Sequence, residues 1–243
     1  TGRGANWREV AALFADEFRV VMPDLLGHGE SQSATDDSRF TINAQAADLI
    51  ALLDALEIER ASMWGYSMGG RLALYTALHY PSRVKALVLE SASPGLATQA
   101  ERVARRASDE ALAARLLREG IPAFVEYWES LSLWESQHRL PAQKREALRA
   151  QRLTNTAEGL ARSLRGMGTG EQPSLWDKLA EITLPTLLMA GAHDTKFVEI
   201  AQQMHALLSN VRFVLAEDAG HAVHLEKPEW AVKTVGEWLR INL

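Results

Sequence analysis

Gly65-Tyr66-Ser67-Met68-Gly69 places a serine between two glycines at the spacing G-x-S-x-G. A serine hydroxyl is a poor base and a poor nucleophile until a histidine takes its proton and an acid holds that histidine. The surrounding sequence suits that use. Ala61 to Trp64 is a short apolar strand candidate, and a helical stretch runs from the motif to about residue 79. A serine on such a sharp strand-to-helix turn is lifted above the sheet edge, and the next backbone N–H, that of Met68, points at the same spot. On this reading, side chains at the two glycine positions would collide with neighbouring backbone. The bland alternative is a glycine-rich structural turn, which the strand before and the helix after argue against.

The partners should follow in the order serine, acid, histidine. Asp194 comes after the apolar run Leu184 to Ala190, and His221 comes after the run Val211 to Leu215. Both therefore fall at the carboxyl ends of expected strands, where loops converge on Ser67. His221 would take and return the Ser67 proton; Asp194 would hold its ring. Two duller roles compete. Asp194 could be a helix N-cap and His221 a loop histidine, with His193, His224 and Asp218 as rivals for the two places.

Arg71 lies four residues after Ser67, one helical turn on. A cation in the first turn of a helix opposes the macrodipole, so a surface salt bridge explains the choice poorly. An arginine beside the serine suits a substrate carboxylate or phosphate. Residues 95–180 add Arg102, Arg105, Arg106, Arg152, Arg162 and Arg165, most of which belong on solvated helix faces.

These residues need a scaffold. Residues 6–17 read as a short helix, Phe18 to Met22 as a buried strand, residues 42–57 as a helix, and Val84 to Leu89 as a strand of the buried parallel type. Residues 95–180 hold no strand candidate and read as several helices broken near Pro122 and Pro141. Strand–helix alternation then resumes, with helices from about 196 to 208 and from Pro228. The expected architecture is α/β: a mostly parallel sheet flanked by helices, with an inserted all-helical cap over the carboxyl ends of the strands. The expected divisions are 1–94 and 181–243 for the core and 95–180 for the cap.

The 243 residues suit one such domain. A net charge of -5 leaves no basic footprint for nucleic acid, and no apolar run is long enough to span a bilayer. With no cysteine, thiolate nucleophiles, disulfides and cysteine metal sites are excluded. The first residues do not read as a signal peptide, and a cytoplasmic protein is expected.

Three stretches resemble one family. They are Gly65 to Arg71; Pro94-Gly95-Leu96 with Glu101 to Arg106 and Asp109; and Arg152 with Gly166 to Trp176. The family is 2-succinyl-6-hydroxy-2,4-cyclohexadiene-1-carboxylate synthase, a lyase of menaquinone and phylloquinone biosynthesis with an α/β-hydrolase fold. The resemblance implies elimination of pyruvate from an enolpyruvyl cyclohexene tricarboxylate, with no metal and no organic cofactor. It implies a Ser67, Asp194 and His221 triad and an oxyanion hole that includes Met68. It also implies substrate contacts from Tyr66, Arg71, Arg105, Trp128 (with Tyr127 the rival beside it) and Arg152. The family carries a His-Gly-aromatic segment just before the loop at Thr1. The sequence lacks it, so the chain is expected to be the remainder of a longer one.

Overall fold

A computed structural model describes residues 1–31 and 36–243. The chain divides into two compact units, one formed by Thr1–Gln45 with Thr98–Pro173 and the other by Ala46–Ala97 with Ser174–Leu243.

The second unit is built on four parallel strands in the spatial order β1-β2-β3-β4: Ala61–Tyr66, Val84–Glu90, Thr186–Gly191 and Val211–Ala216. Register is continuous through the C-terminal halves, with Tyr66 beside Glu90, Glu90 beside Met189, and Gly191 beside Ala216. The two inner strands are buried almost throughout, as a parallel sheet covered on both faces requires. Their Leu87, Val88, Leu89, Leu187, Leu188 and Met189 form the centre of the core. Helix α3 (Met68–His79) packs on β1 and β2, α7 (Thr195–Leu207) on β3 and β4, and α9 (Pro228–Asn242) on β2. A single turn, α8 (Val223–Glu226), precedes α9.

The first unit holds α1 (Arg8–Phe14), α4 (Gln99–Glu129), α5 (Ala142–Leu153) and α6 (Ala157–Met167). Thr98 and Glu101 close a reciprocal capping box at the start of α4, each side chain accepting the other's backbone N–H. The helix breaks at Gly120, whose φ of 78° and ψ of 175° leave helical space, with Pro122 opening the next turn. Ala113, Leu116, Phe124, Val125, Leu160 and Ala161 make this unit's buried cluster. Helix α2 (Ile42–Ala55) begins in the first unit and continues into the second.

One expected element is not formed. Phe18 to Met22 is not a strand: it joins no ladder among the described residues, and Val20, Val21 and Met22 are 37–38% exposed. An apolar run becomes a buried strand only with a ladder to join and layers to cover it; among the described residues this run joins no ladder, and its last three side chains are exposed. The remaining strands and the strand-free stretch between β2 and β3 follow the pattern read from the sequence.

Candidate active site

Ser67 closes the gap between β1 and α3 with φ 50° and ψ −110°, a conformation that a residue with a Cβ holds only under constraint. The constraint is visible. Its backbone N–H donates to the carbonyl of Glu90 at the end of β2 (2.8 Å), and its carbonyl accepts from the N–H of Arg71 (3.0 Å). Strand and helix approach so closely at the turn that a Cβ on Gly65 would stand 2.4 Å from the carbonyl oxygen of Gly69. Gly69 itself differs from expectation. A Cβ there would meet nothing within 4 Å, because that position faces away from the strand. The crowding that the motif implies belongs to the first glycine.

His221 and Asp194 reach the same place from the ends of β4 and β3. The Ser67 hydroxyl lies 3.0 Å from His221 Nε2, and His221 Nδ1 lies 2.6 Å from Asp194 Oδ2. With the imidazole proton on Nδ1, the serine donates to Nε2 and the histidine donates to the carboxylate. Both His221 and Asp194 are buried. Asp194 does occupy the N-cap position of α7, but its side chain makes no capping bond and turns to His221 instead. The rivals separate on position: His193 and Asp218 are exposed, and His224 pairs elsewhere.

The loops carrying the acid and the histidine are sewn together by backbone. Ala192 N–H donates to the Ala216 carbonyl (3.0 Å) and His193 N–H to the Ala219 carbonyl (2.9 Å). Gly191 permits that approach, since a Cβ there would lie 2.2 Å from the Gly220 carbonyl oxygen. Aromatic rings line the histidine: Tyr66 at 5.1 Å and Phe197 at 4.7 Å between centroids.

Behind this trio lies a second buried pair that the sequence reading missed as a pair. Glu90 and His224 are both buried, with His224 Nδ1 2.7 Å from Glu90 Oε1. The same oxygen accepts the His224 backbone N–H (3.0 Å), and the other accepts Trp64 Nε1–H (3.1 Å). These three residues are far apart in sequence and follow no motif. The only signal was a carboxylate closing a run of four apolar residues, Ala86 to Leu89.

Met68 and Arg71 stand in the first turns of α3, and Arg71 is buried. The other expected binding residues lie in the first unit. Arg105 on α4 is exposed and paired with Asp109 (2.8 Å). Arg152, in the last turn of α5, is 12% exposed; it donates to Glu129 Oε1 (2.9 Å) and Gln137 Oε1 (2.9 Å) and lies over the Trp134 ring. Trp128 stacks on Phe124 at 5.6 Å and leans on Trp134 at 5.5 Å. Arg152 and Trp128 thus share one aromatic cluster, whereas Arg105 pairs elsewhere on its helix. Tyr127 is covered by Arg115 at 4.5 Å. No group of three His, Cys, Asp or Glu side chains able to hold a metal ion occurs among the described residues. No described helix is long and apolar enough to cross a membrane.

The model of the alpha/beta hydrolase fold family matches residues 1–228. The putative 2-succinyl-6-hydroxy-2,4-cyclohexadiene-1-carboxylate synthase of Bacillus subtilis (strain 168) is 44% identical over 98% of this chain and 87% of its own. Among solved structures, MenH from S. aureus superposes with a TM-score of 0.95 at 37% identity, covering 99% of this chain and 90% of that one. A thermophilic esterase from Thermogutta terrifontis gives 0.85 at 30% identity, covering 98% and 85%. A strained serine turn, a parallel sheet and relatives matched along nearly their whole length point one way: the chain belongs to the α/β-hydrolase fold family and, within it, to the 2-succinyl-6-hydroxy-2,4-cyclohexadiene-1-carboxylate synthases.

Proposed function

We propose that this enzyme eliminates pyruvate from 2-succinyl-5-enolpyruvyl-6-hydroxy-3-cyclohexene-1-carboxylate, giving 2-succinyl-6-hydroxy-2,4-cyclohexadiene-1-carboxylate in menaquinone synthesis. The observation that carries this is the near full-length match to the B. subtilis synthase. The names of substrate and product fix the bonds. The ring loses a proton from C2, beside the succinyl ketone, and its C5–O bond breaks. The C2–H electrons become the C2=C3 double bond, the old C3=C4 pair moves to C4=C5, and enolpyruvate leaves and takes a proton to become pyruvate.

That chemistry asks for a base and for help with an enolate. Ser67 is the base: its proton goes to His221 Nε2 as its oxygen takes the C2 proton, and Asp194 stabilises the resulting imidazolium. The imidazolium then supplies the proton that enolpyruvate needs. Negative charge developing on the succinyl oxygen falls to the Met68 N–H, at the positive end of α3. No covalent intermediate is required. Tyr66 packs against the His221 ring.

The substrate carries three carboxylates, and each needs a charge-assisted partner once it leaves water. Arg71, Arg105 and Arg152 are the proposed partners, with Trp128 contributing an apolar surface. Arg152 donates to Glu129 and Gln137 in the resting protein, and these two partners hold its guanidinium in place. The sequence rhythm supports a core of residues 1–94 and 181–243 with a helical cap at 95–180.

The alternative is a carboxylester or carbon–carbon bond hydrolase, in which Ser67 would form an acyl-enzyme. The likeness to the T. terrifontis esterase is what favours it. Arginine variants tell the two apart. Arg71→Ala, Arg105→Ala and Arg152→Ala should each lower kcat/KM for pyruvate release, by about 2–5 kcal/mol of transition-state binding, and lysine should rescue only in part. If all three were dispensable while Ser67 was not, the polyanionic substrate would be wrong.

A further inference from the structure

The loop that presents His221 has no regular structure on its N-terminal side and only one helical turn, α8, on the other. Something other than secondary structure must hold the imidazole within hydrogen-bond reach of both Ser67 and Asp194. Two carboxylates are placed to do this. Glu226, the last residue of α8, folds back so that its side chain brackets His221. Oε2 accepts the N–H of Gly220 (2.8 Å) and Oε1 accepts the N–H of Ala222 (3.3 Å), the residues on either side of the histidine. Glu90 anchors the same turn from the sheet. Its Oε1 accepts both the backbone N–H and the ring Nδ1–H of His224, three residues beyond His221. Glu90 is also the residue whose carbonyl accepts the N–H of Ser67. The Tyr66 ring fits between the two histidines, 5.1 Å from His221 and 4.8 Å from His224.

We infer that Glu226 and Glu90 are positioning residues for His221, a two-carboxylate brace that sets the height and tilt of the imidazole over Ser67. The inference rests on the triad reading above. Its logic is geometric. Backbone N–H groups on both flanks of the histidine are tied to one rigid carboxylate, so the loop cannot pivot about His221 without breaking a charge-assisted bond. Glu90 is 0% exposed, and a carboxylate so deep is tolerated because His224 and Trp64 donate three bonds to it. Neither carboxylate is needed to touch substrate. Their effect passes through the position of one ring, and a shift of about 1 Å in a catalytic group costs on the order of 10²-fold in rate.

The test uses Glu226→Gln as the main variant, Glu90→Gln as the second, and Glu229→Gln on the exposed first turn of α9 as control. Glutamine keeps the size of the side chain but turns one acceptor into a donor, which then faces the Gly220 or Ala222 N–H. The expected result for Glu226→Gln is a fall in kcat of tenfold or more with KM within twofold. Glu229→Gln should match wild type. Placed in a His221→Ala background, Glu226→Gln should have no further effect on the residual rate, because it acts through the missing ring. A second readout needs no substrate. The short His221–Asp194 bond should give a far-downfield proton resonance in the resting enzyme, lost or moved upfield in Glu226→Gln while thermal unfolding stays cooperative. An unchanged kcat and resonance would overturn the brace. So would an equal loss of rate in wild-type and His221→Ala backgrounds. Should the wild type release no pyruvate, the substrate reading fails, and the resonance alone still decides for or against the brace. Should Glu90→Gln fail to fold, Glu226→Gln decides.

Discussion

The two glycines of the serine turn should respond to alanine with opposite signs. At Gly65 the new Cβ would lie 2.4 Å from the Gly69 carbonyl oxygen and 2.6 Å from Gly69 C and Gly70 Cα, all backbone atoms. Real Cβ contacts stay beyond 3.0 Å, so 3.0 less 2.4 leaves at least 0.6 Å by which the end of β1 and the first turn of α3 must separate. Ser67 is the hinge between them, and its hydroxyl has a 3.0 Å bond to His221 to lose. Crowding of this kind costs about 1–3 kcal/mol of stability. Displacement of the serine by more than half an ångström should lower the rate by about 10- to 100-fold. At Gly69 a Cβ meets nothing within 4 Å, and the backbone is already helical. Gly69→Ala should therefore stabilise by about 0.4–1 kcal/mol through the unfolded chain and leave the rate within a few-fold. Urea unfolding and kcat/KM on both variants provide the assay. The reasoning is refuted if Gly69→Ala is the more damaging of the two, or if Gly65→Ala is silent in both measurements.

Three further outcomes follow from the site and its surroundings. Asp194→Asn should retain the fold, because the side chain makes no cap bond to α7, yet lose about 10⁴-fold in kcat through the wrong histidine tautomer; near-normal turnover would remove Asp194 from the role. Ser67→Ala and His221→Ala should each cost orders of magnitude, and the double variant should be little worse than either; multiplying losses would mean that the two do not act as a unit. His28 is buried and its pKa is lowered from 6.5 to about 3, first of all by desolvation. The unfolded chain then takes up this proton below about pH 6.5 while the folded one does not, so stability is full above that value and declines as pH falls towards 3. At pH 5 this amounts to about 2 kcal/mol. Urea unfolding of His28→Gln should lose that much less between pH 7 and 5 than wild type, and identical losses would contradict the assignment.

Much of this was legible in the sequence, and the parts that were not share a cause. The serine turn, the four strands and the order serine, acid, histidine follow from local pattern, because a parallel strand and the loop after it are written contiguously. Phe18 to Met22 has the right composition for a strand and is none, since strand formation depends on a partner that composition does not name. The motif identified both glycines as crowded, yet only Gly65 faces backbone; helical position, not residue type, decides that. Glu90, His224 and Glu226 carry no spacing signal. Glu90 and His224 are 134 positions apart and meet only because β2 and the turn after β4 converge. Gly191 likewise shows its purpose only when the Ala219–Gly220 segment is seen to pass over it.

The most direct test of the central claim is to give the enzyme the enolpyruvyl cyclohexene tricarboxylate and follow pyruvate by a coupled assay, with the conjugated diene recorded in the same cuvette. Elimination by a Ser67–His221 base predicts pyruvate and diene in equal amounts, no burst and no covalent adduct on Ser67 by intact mass, and loss of both products in Ser67→Ala. A stable acyl adduct on Ser67 with brisk turnover of a simple activated ester, and no pyruvate from the tricarboxylate, would contradict it.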